Sequence, residues 1–472
     1  MSDESVPASA PAQFNTTNAR VEPDASESTI LSVLTHPDLY GRFWGKDELV
    51  LPKFENSVRF WNTIWYGGPL PCVNKAISRF RRRPVRLILR RGEHSAFYDI
   101  LSRQDPDHTC HITSLLDVPE DKNAHCGMQG LLKVLNTRAL DNVKYLYLNV
   151  GISNQDFQEF TRALSSGALG KLTALLLMGN GIDDTDVEEL ARVLSNGYLR
   201  SLTELNLGYN KLGEAGARHL AYALSVGALK ELEILNLESN HICHPFTEEL
   251  ARVPSYNIST RLQELHLSRN RIADTSMRRL ADVLSKEAFN GLRHLDLYKN
   301  EIGPTGMREL ARVFLSGGLN QLTHLNLGSN EIGDEGLRDL GDALITAGWQ
   351  SMQVLCLSSN NLGDEGLTAM ANAMPSGAMA NLRVLRLYDN KIGDQGARAL
   401  ASALSRGALS HLEVLNISEN NIGDAGVIDL AQEKSNETRN TVSSQSPMLS
   451  RSRNTSNARV TLACIVGNRR VW

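Results

Sequence analysis

The chain has 472 residues, 42% of them hydrophobic and 22% charged, and a formal net charge of −4. That length allows more than one domain, and that charge excludes a global bias toward nucleic acid or anionic membrane surfaces. No apolar run approaches the roughly 20 residues that a membrane helix needs, and the start MSDESVPASAPAQ lacks the basic residue and apolar core of a secretory signal. The six cysteines are scattered without a disulfide framework, which suits a reducing compartment. The expected location is therefore intracellular and cytoplasmic.

Residues 1–28 are rich in Ser, Ala, Pro, Asn and Thr and read as a disordered N-terminus. Residues 29–83 gather Trp44, Trp61 and Trp65 with Phe43, Phe54, Phe60 and Phe80, and Trp61 and Trp65 stand at helical i, i+4 spacing. This predicts a small helical cap over an apolar end. GRFWGKD (Gly41 to Asp47) is not a phosphate loop: three residues separate its glycines where four are needed, and Asp47 stands where a hydroxyl should hold magnesium. Residues 84–171 read as degenerate strand–helix units. VRLIL (Val85 to Leu89) precedes HSAFYDILSRQ, ITSLLDV (Ile112 to Val118) precedes GMQGLLKVLNTRAL, and VKYLYLNVGIS (Val143 to Ser153) is a third. That third unit sits one residue out of phase with those that follow, with Gly151 where they carry asparagine.

From 172 to 433 the pattern is strict. Asn180, Asn210, Asn240, Asn270, Asn300, Asn330, Asn360, Asn390 and Asn420 close copies of the frame L-x-x-L-x-L-x-x-N at a spacing of thirty, with only Met352 and Ile417 replacing a leucine. A fixed period means stacked supersecondary units, not one globular core. Leu205 and Leu207 point one way while Glu204 and Asn206 point the other, as a strand of period two requires. The asparagine then turns the chain, and its amide can satisfy backbone groups that the bend would bury. Stacked copies predict a ladder. After it comes I-G-D-E-G or a relative, then a helical run whose apolar face is typified by Met307, Leu310, Ala311 and Phe314. A glycine column (Gly167, Gly197, Gly227, Gly317, Gly377, Gly407) marks helix ends in the left-handed turn, with Asn257 in the same column and Glu287 and Ala347 departing from it. Pro245 and Pro254 disturb one unit without breaking the period. Residues 434–459 are rich in Ser, Asn and Arg and read as a disordered insertion. Residues 460–472 hold VTLACIVGN, a loose copy of the frame and a candidate edge strand covering an open sheet edge.

Frames such as LTELNLGYN (Leu202 to Asn210), with intervening segments such as EIGDEGLRDLGDALITAG (Glu331 to Gly348), resemble leucine-rich repeats of the ribonuclease-inhibitor-like subclass. The resemblance runs from about Leu172 to Ala431. It implies an α/β horseshoe solenoid, with a parallel sheet on the concave face and helices on the convex one. It also implies a non-enzymatic scaffold that binds another protein, without a cofactor. Two alternatives share this repeat architecture. One is a Ran-type small GTPase activator, against which the basic tail counts, because that family bears an acidic one. The other is an F-box-like substrate receptor of a ubiquitin ligase, since VRFWNTIWYGG followed by AISRFRRRPVRLIL is similar to the region joining an F-box to such repeats.

The outward positions of the concave strands form columns. One runs Asn206, Asn236, His266, Asp296, Asn326, Cys356, Arg386, Asn416; its neighbour runs Glu204, Ile234, Glu264, His294, His324, Val354, Val384, Val414. At about 4.8 Å between strands, His266, His294, Asp296, Tyr298 and His324 should cluster. The candidate partner-binding set is Glu204, Asn206, Tyr209, Glu264, His266, Arg269, His294, Asp296, Tyr298, His324, Asn326, Arg386 and Tyr388, with Tyr and Arg as anchors. No catalytic or metal site is expected. HTCH (His108 to His111) with His125 and Cys126, and HICH (His241 to His244), lack zinc-ligand spacing and read as core or loop. The arginines of RFRRRPVRLILRR (Arg79 to Arg91) flank a predicted strand and read as solvent-facing, so nucleic acid is not an expected partner.

Overall fold

The computed structural model describes residues 48–50, 85–90, 112–118, 126–242, 247–249, 261–347, 350–374, 379–438 and 463–465. The expected disordered N-terminus, residues 439–459 of the expected insertion, most of the expected cap, the HSAFYDILSRQ helix, the HTCH segment, Pro245, Pro254, Asn257 and Gly377 lie outside them, whereas residues 434–438 of that insertion are the end of a helix and not disordered.

The chain divides into two units, residues 1–143 and 144–472. In the first, β1 (Glu48–Val50) runs parallel to β2 (Val85–Arg90), and β2 parallel to β3 (Ile112–Val118). Helix α1 (Cys126–Leu135) buries Met128, Leu131, Leu132 and Leu135, the i, i+3, i+4, i+7 face its sequence provides.

The second unit carries ten parallel strands in one open sheet: β4 (Tyr145–Leu148), β5 (Ala174–Leu176), β6 (Glu204–Asn206), β7 (Ile234–Asn236), β8 (Glu264–His266), β9 (His294–Asp296), β10 (His324–Asn326), β11 (Val354–Cys356), β12 (Val384–Arg386) and β13 (Val414–Asn416). Between them run α2 (Asn154–Ser165), α3 (Asp184–Ser195), α4 (Glu214–Ser225), α5 (Asp274–Leu284), α6 (Pro304–Leu315), α7 (Gly333–Ala347), α8 (Asp364–Asn372) and α9 (Asp394–Ser405), with α10 (Asp424–Thr438) after β13. This alternation is an α/β horseshoe solenoid. A short strand β14 (Ala463–Ile465) pairs antiparallel with β13. The out-of-phase unit is visible in the register: Tyr145 faces Ala174, whereas Glu204 faces Ile234 at the full repeat.

Strands β6 to β10 each bury the central residue and leave its neighbours half-exposed. The core is a continuous column of leucines: Leu205, Leu235, Leu265, Leu295 and Leu325 are all at most 2% exposed. Each such leucine contributes about 1.5–3 kcal/mol on leaving water. The helices close the other side. In α6 the buried residues are Gly306, Met307, Leu310, Ala311, Val313 and Phe314.

Two hydrogen-bonded columns tie repeat to repeat. The first is made by the asparagines. The Nδ2 of Asn270 donates to the Leu237 and Ser268 carbonyls at 2.8 and 3.0 Å, and its Oδ1 accepts from the Asn240 and Ile242 N–H groups, both at 3.2 Å. Asn180, Asn210, Asn240, Asn300, Asn330, Asn360, Asn390 and Asn420 reach back in the same way to the preceding repeat. All but Asn420 are buried.

The second column is made by aspartates at the helix starts. Helices α4, α6, α8 and α9 each follow a glycine N-cap, Gly213, Gly303, Gly363 and Gly393, that has no side chain to cap with. The cap comes from the previous repeat: Oδ1 of Asp184, Asp274, Asp334 and Asp364 accepts those four N–H groups at 2.6, 2.7, 2.6 and 2.7 Å. A carboxylate suits the positive end of the helix dipole. Asp364 also accepts the Gly396 N–H at 2.7 Å, and a Cβ at Gly396 would lie 2.8 Å from that oxygen. Where Pro304 replaces the aspartate, the following Gly333 turns to φ +60° and donates to the Asn360 carbonyl instead. Helix α3 caps itself. Asp183 accepts from the Thr185 and Asp186 N–H groups while Asp186 returns a bond to the Asp183 backbone, and burial pushes the Asp186 carboxyl up to about 6. At the other helix ends Gly167, Gly197, Gly227, Gly317 and Gly407 take φ between +72° and +96°, the left-handed turn that glycine admits without strain.

Candidate interaction surface

The sheet register aligns the outward side chains into columns. Glu204 faces Ile234, then Glu264, His294, His324, Val354, Val384 and Val414 in succession. One strand position on, Asn206, Asn236, His266, Asp296, Asn326, Cys356, Arg386 and Asn416 align likewise.

Around β8 to β10 the polar groups are in contact. Glu264 sits between two imidazoles, its Oε2 3.2 Å from His266 Nε2 and its Oε1 3.4 Å from His294 Nδ1. The His294 and His324 rings are in tilted contact, 4.2 Å between centroids and 54° between planes. Thr323 Oγ1 lies 2.9 Å from His324 Nδ1 and orients that ring. Burial, and then the neighbouring His294, hold His324 below the ordinary imidazole value. Burial raises the carboxyls of Glu204 and Asp296; Glu264 raises Glu204 further, while His266 opposes the shift in both. These carboxylates are half withdrawn from water, and among the described residues neither is paired with a lysine or arginine.

Beyond the strands, the residue before each ladder asparagine takes a left-handed conformation. Tyr209, Arg269, Lys299, Asp389 and Glu419 have φ between 54° and 58°. This geometry turns their side chains outward at the rim. The Tyr209 hydroxyl donates to Glu238 Oε1 at 2.7 Å, and that bond raises its pKa. Arg269 places Nε 3.8 Å from the same oxygen and its guanidinium 5.7 Å from the Tyr298 ring centroid. Glu238 thus joins two anchors. The column reading passed over it, although it stands one repeat before Ser268 and two before Tyr298.

The candidate residues do not form one patch. Glu264, His266, His294, Asp296, Tyr298 and His324 come together, with Glu204, Tyr209 and Arg269 at their margin. Arg386 and Tyr388 lie at β12, two strands beyond His324, or about 10 Å away. There they border the valine column, of which Val414 is 41% exposed. Asn206 and Asn326 have a backbone duty: each Oδ1 accepts the N–H two residues on, from Gly208 at 2.9 Å and Gly328 at 3.2 Å. Asp296 does the same for Tyr298 at 2.9 Å. An outward strand position can therefore still be fixed by the bend that follows it.

A polar cleft of about 620 Å³ opens where β10 to β13 begin, lined by Thr323, Gln353, Asn381, Arg383, His411 and Glu413. Arg383 and Glu413 pair across it. Among the described residues, no group of three His, Cys, Asp or Glu side chains has the geometry to hold a metal ion, and no helix is long and apolar enough to cross a membrane.

A leucine-rich repeat family model matches seven segments of the chain, residues 198–221, 259–281, 292–311, 319–341, 350–371, 378–401 and 408–431. Among solved structures the chain is similar to an internalin from Listeria monocytogenes, at 21% identity and a TM-score of 0.37 over 71% of this chain and 91% of that one. It is also similar to a plant ice-binding protein, at 20% identity and a TM-score of 0.31 over 54% of this chain and 67% of that one. A search of curated proteins finds no match. Seven matched segments, one register of parallel strands and an unbroken asparagine column give one conclusion: the second unit of this chain is a leucine-rich repeat solenoid.

Proposed function

We propose that this protein is a binding scaffold, not an enzyme, and that it holds another protein against the concave sheet of its repeats. The observation that carries this reading is the contrast between the two sides of each strand. Inward residues are leucines, while the half-exposed outward residues on β6 to β10 include the ionisable Glu204, Glu264, His266, His294, Asp296 and His324, flanked by Tyr209, Arg269 and Tyr298. Tyrosine and arginine are the residues on which interface energy concentrates. A preformed repeat surface also spares much of the ordering cost of binding. The scattered cysteines support an intracellular setting for this scaffold.

The test compares affinity capture by the wild type, a concave variant (R269A/H294A/Y298A) and a convex variant (Y222S/R338A), each checked for folding by circular dichroism. We expect the concave variant to lose at least tenfold of a partner that the convex variant retains. Equal retention by both, or loss only from the convex variant, contradicts the proposal.

A further inference from the structure

The concave face is divided by charge. Strands β6 to β10 read ELN, ILN, ELH, HLD and HLN: three carboxylates, three histidines and no lysine or arginine. Strands β11 to β13 read VLC, VLR and VLN, with no carboxylate and one exposed arginine. The first half is therefore anionic whenever its imidazoles are neutral. The positive groups near it stand at the rim: Arg269 beside Glu238 and Tyr298, Arg293 immediately before β9, and Lys299 after it. Glu233 precedes β7, where the outward Ile234 adds no charge.

The histidines are placed to titrate this half. His266 and His294 flank Glu264 at 3.2 and 3.4 Å, and the His324 ring lies tilted against His294. Histidine is the side chain whose ordinary charge change falls between pH 5 and 8. A proton on any of these rings puts positive charge beside the carboxylates and weakens the field that a cation would meet. The burial that raises Glu204 and Asp296 acts in the same sense, since both take up protons above the usual carboxylate range. Glu204 and Glu264 are two strands apart, about 10 Å, close to the separation of residues i and i+3, which share a side, in a polyproline II segment laid across the strands.

From this charge complementarity we infer that the β6–β10 half of the sheet face receives a lysine- or arginine-bearing segment of a partner protein, and that positive charge on the imidazoles around Glu264 weakens the hold. The inference rests on the scaffold reading above and adds the chemistry of the partner.

The test uses the full chain and two fluorescein-labelled twelve-residue probes, one with lysine and one with glutamate at every third position and serine between. Anisotropy is read at pH 7.5 and 5.5. At pH 7.5 the lysine probe should bind at least tenfold more tightly than the glutamate probe, and at pH 5.5 it should lose about tenfold. The isosteric variant E204Q/E264Q/D296N should lose about tenfold at pH 7.5. H266Q/H294Q/H324Q should flatten the pH response. Equal binding of the two probes, a pH response that survives in the histidine variant, an unaffected carboxylate variant, or self-association of the chain in place of probe binding would overturn the inference. If concave substitutions abolish partner capture while the probes show no charge preference, the scaffold reading stands and only this inference falls.

Discussion

Asn270 is fully buried, and both sides of its amide are committed to the backbone of two repeats. Replacing it with alanine strands the Asn240 and Ile242 N–H groups in a dry interior, at about 1–3 kcal/mol for each group that cannot relax, while the Leu237 and Ser268 carbonyls keep the Asn240 side chain and the Ser239 N–H as donors. Asn420 makes the same pattern of bonds but is only half-buried, so water can replace them. We expect Asn270→Ala to destabilise by about 2–4 kcal/mol and Asn420→Ala by under about 1 kcal/mol, measured by urea denaturation. Equal losses at the two sites would refute the argument from burial. The positions of these asparagines were legible from the sequence because the period never slips between Asn180 and Asn420. What a single frame could not disclose is that each amide serves the preceding repeat as well as its own.

At the scale of the element, the helix starts hold the feature that the sequence concealed. The motif I-G-D-x-G reads as a turn followed by a helix, and it is one. Its aspartate, however, caps the helix of the next repeat, and its glycines leave room for the carboxylate arriving from the repeat before. The relation joins residues 29 and 32 positions apart, so no local reading of propensity reaches it. Pro304 is one departure from the aspartate column, and the following Gly333 takes a left-handed conformation. Gly396→Ala would bring a methyl against Asp364 Oδ1. Gly407→Ala meets open space and carries only the strain of a left-handed alanine, about 1 kcal/mol. We expect Gly396→Ala to cost more than Gly407→Ala. We also expect Gly396→Ala combined with Asp364→Ala to cost less than the sum of the two single changes, since the clash disappears with the carboxylate. Strict additivity in that double-mutant cycle would remove the steric account.

At the largest scale, the second unit stacks its repeats on leucine cores and two hydrogen-bonded columns, and the outward strand positions are where chemistry can vary. The concave columns followed from the sequence once the period was known: Glu264, His294 and His324 are thirty residues apart and adjacent in the sheet. The contacts within them did not follow. The pairing of Glu264 with two imidazoles, the link of Tyr209 and Arg269 through Glu238, and the backbone duties of Asn206 and Asn326 depend on rotamers and strand ends that periodicity does not specify. The separation of Arg386 and Tyr388 from the histidines was implicit in their repeat number, but the division of the sheet by charge appears only when whole strands are compared.

The most direct measurement is amide hydrogen exchange of the full chain, alone and in complex with a captured partner. The account predicts that new protection concentrates at the rim and strand segments around 204–209, 264–269 and 294–299, with the outer faces of α4, α6 and α9 unchanged. Protection confined to those helices, with the sheet-side segments exchanging as in the free protein, would contradict it.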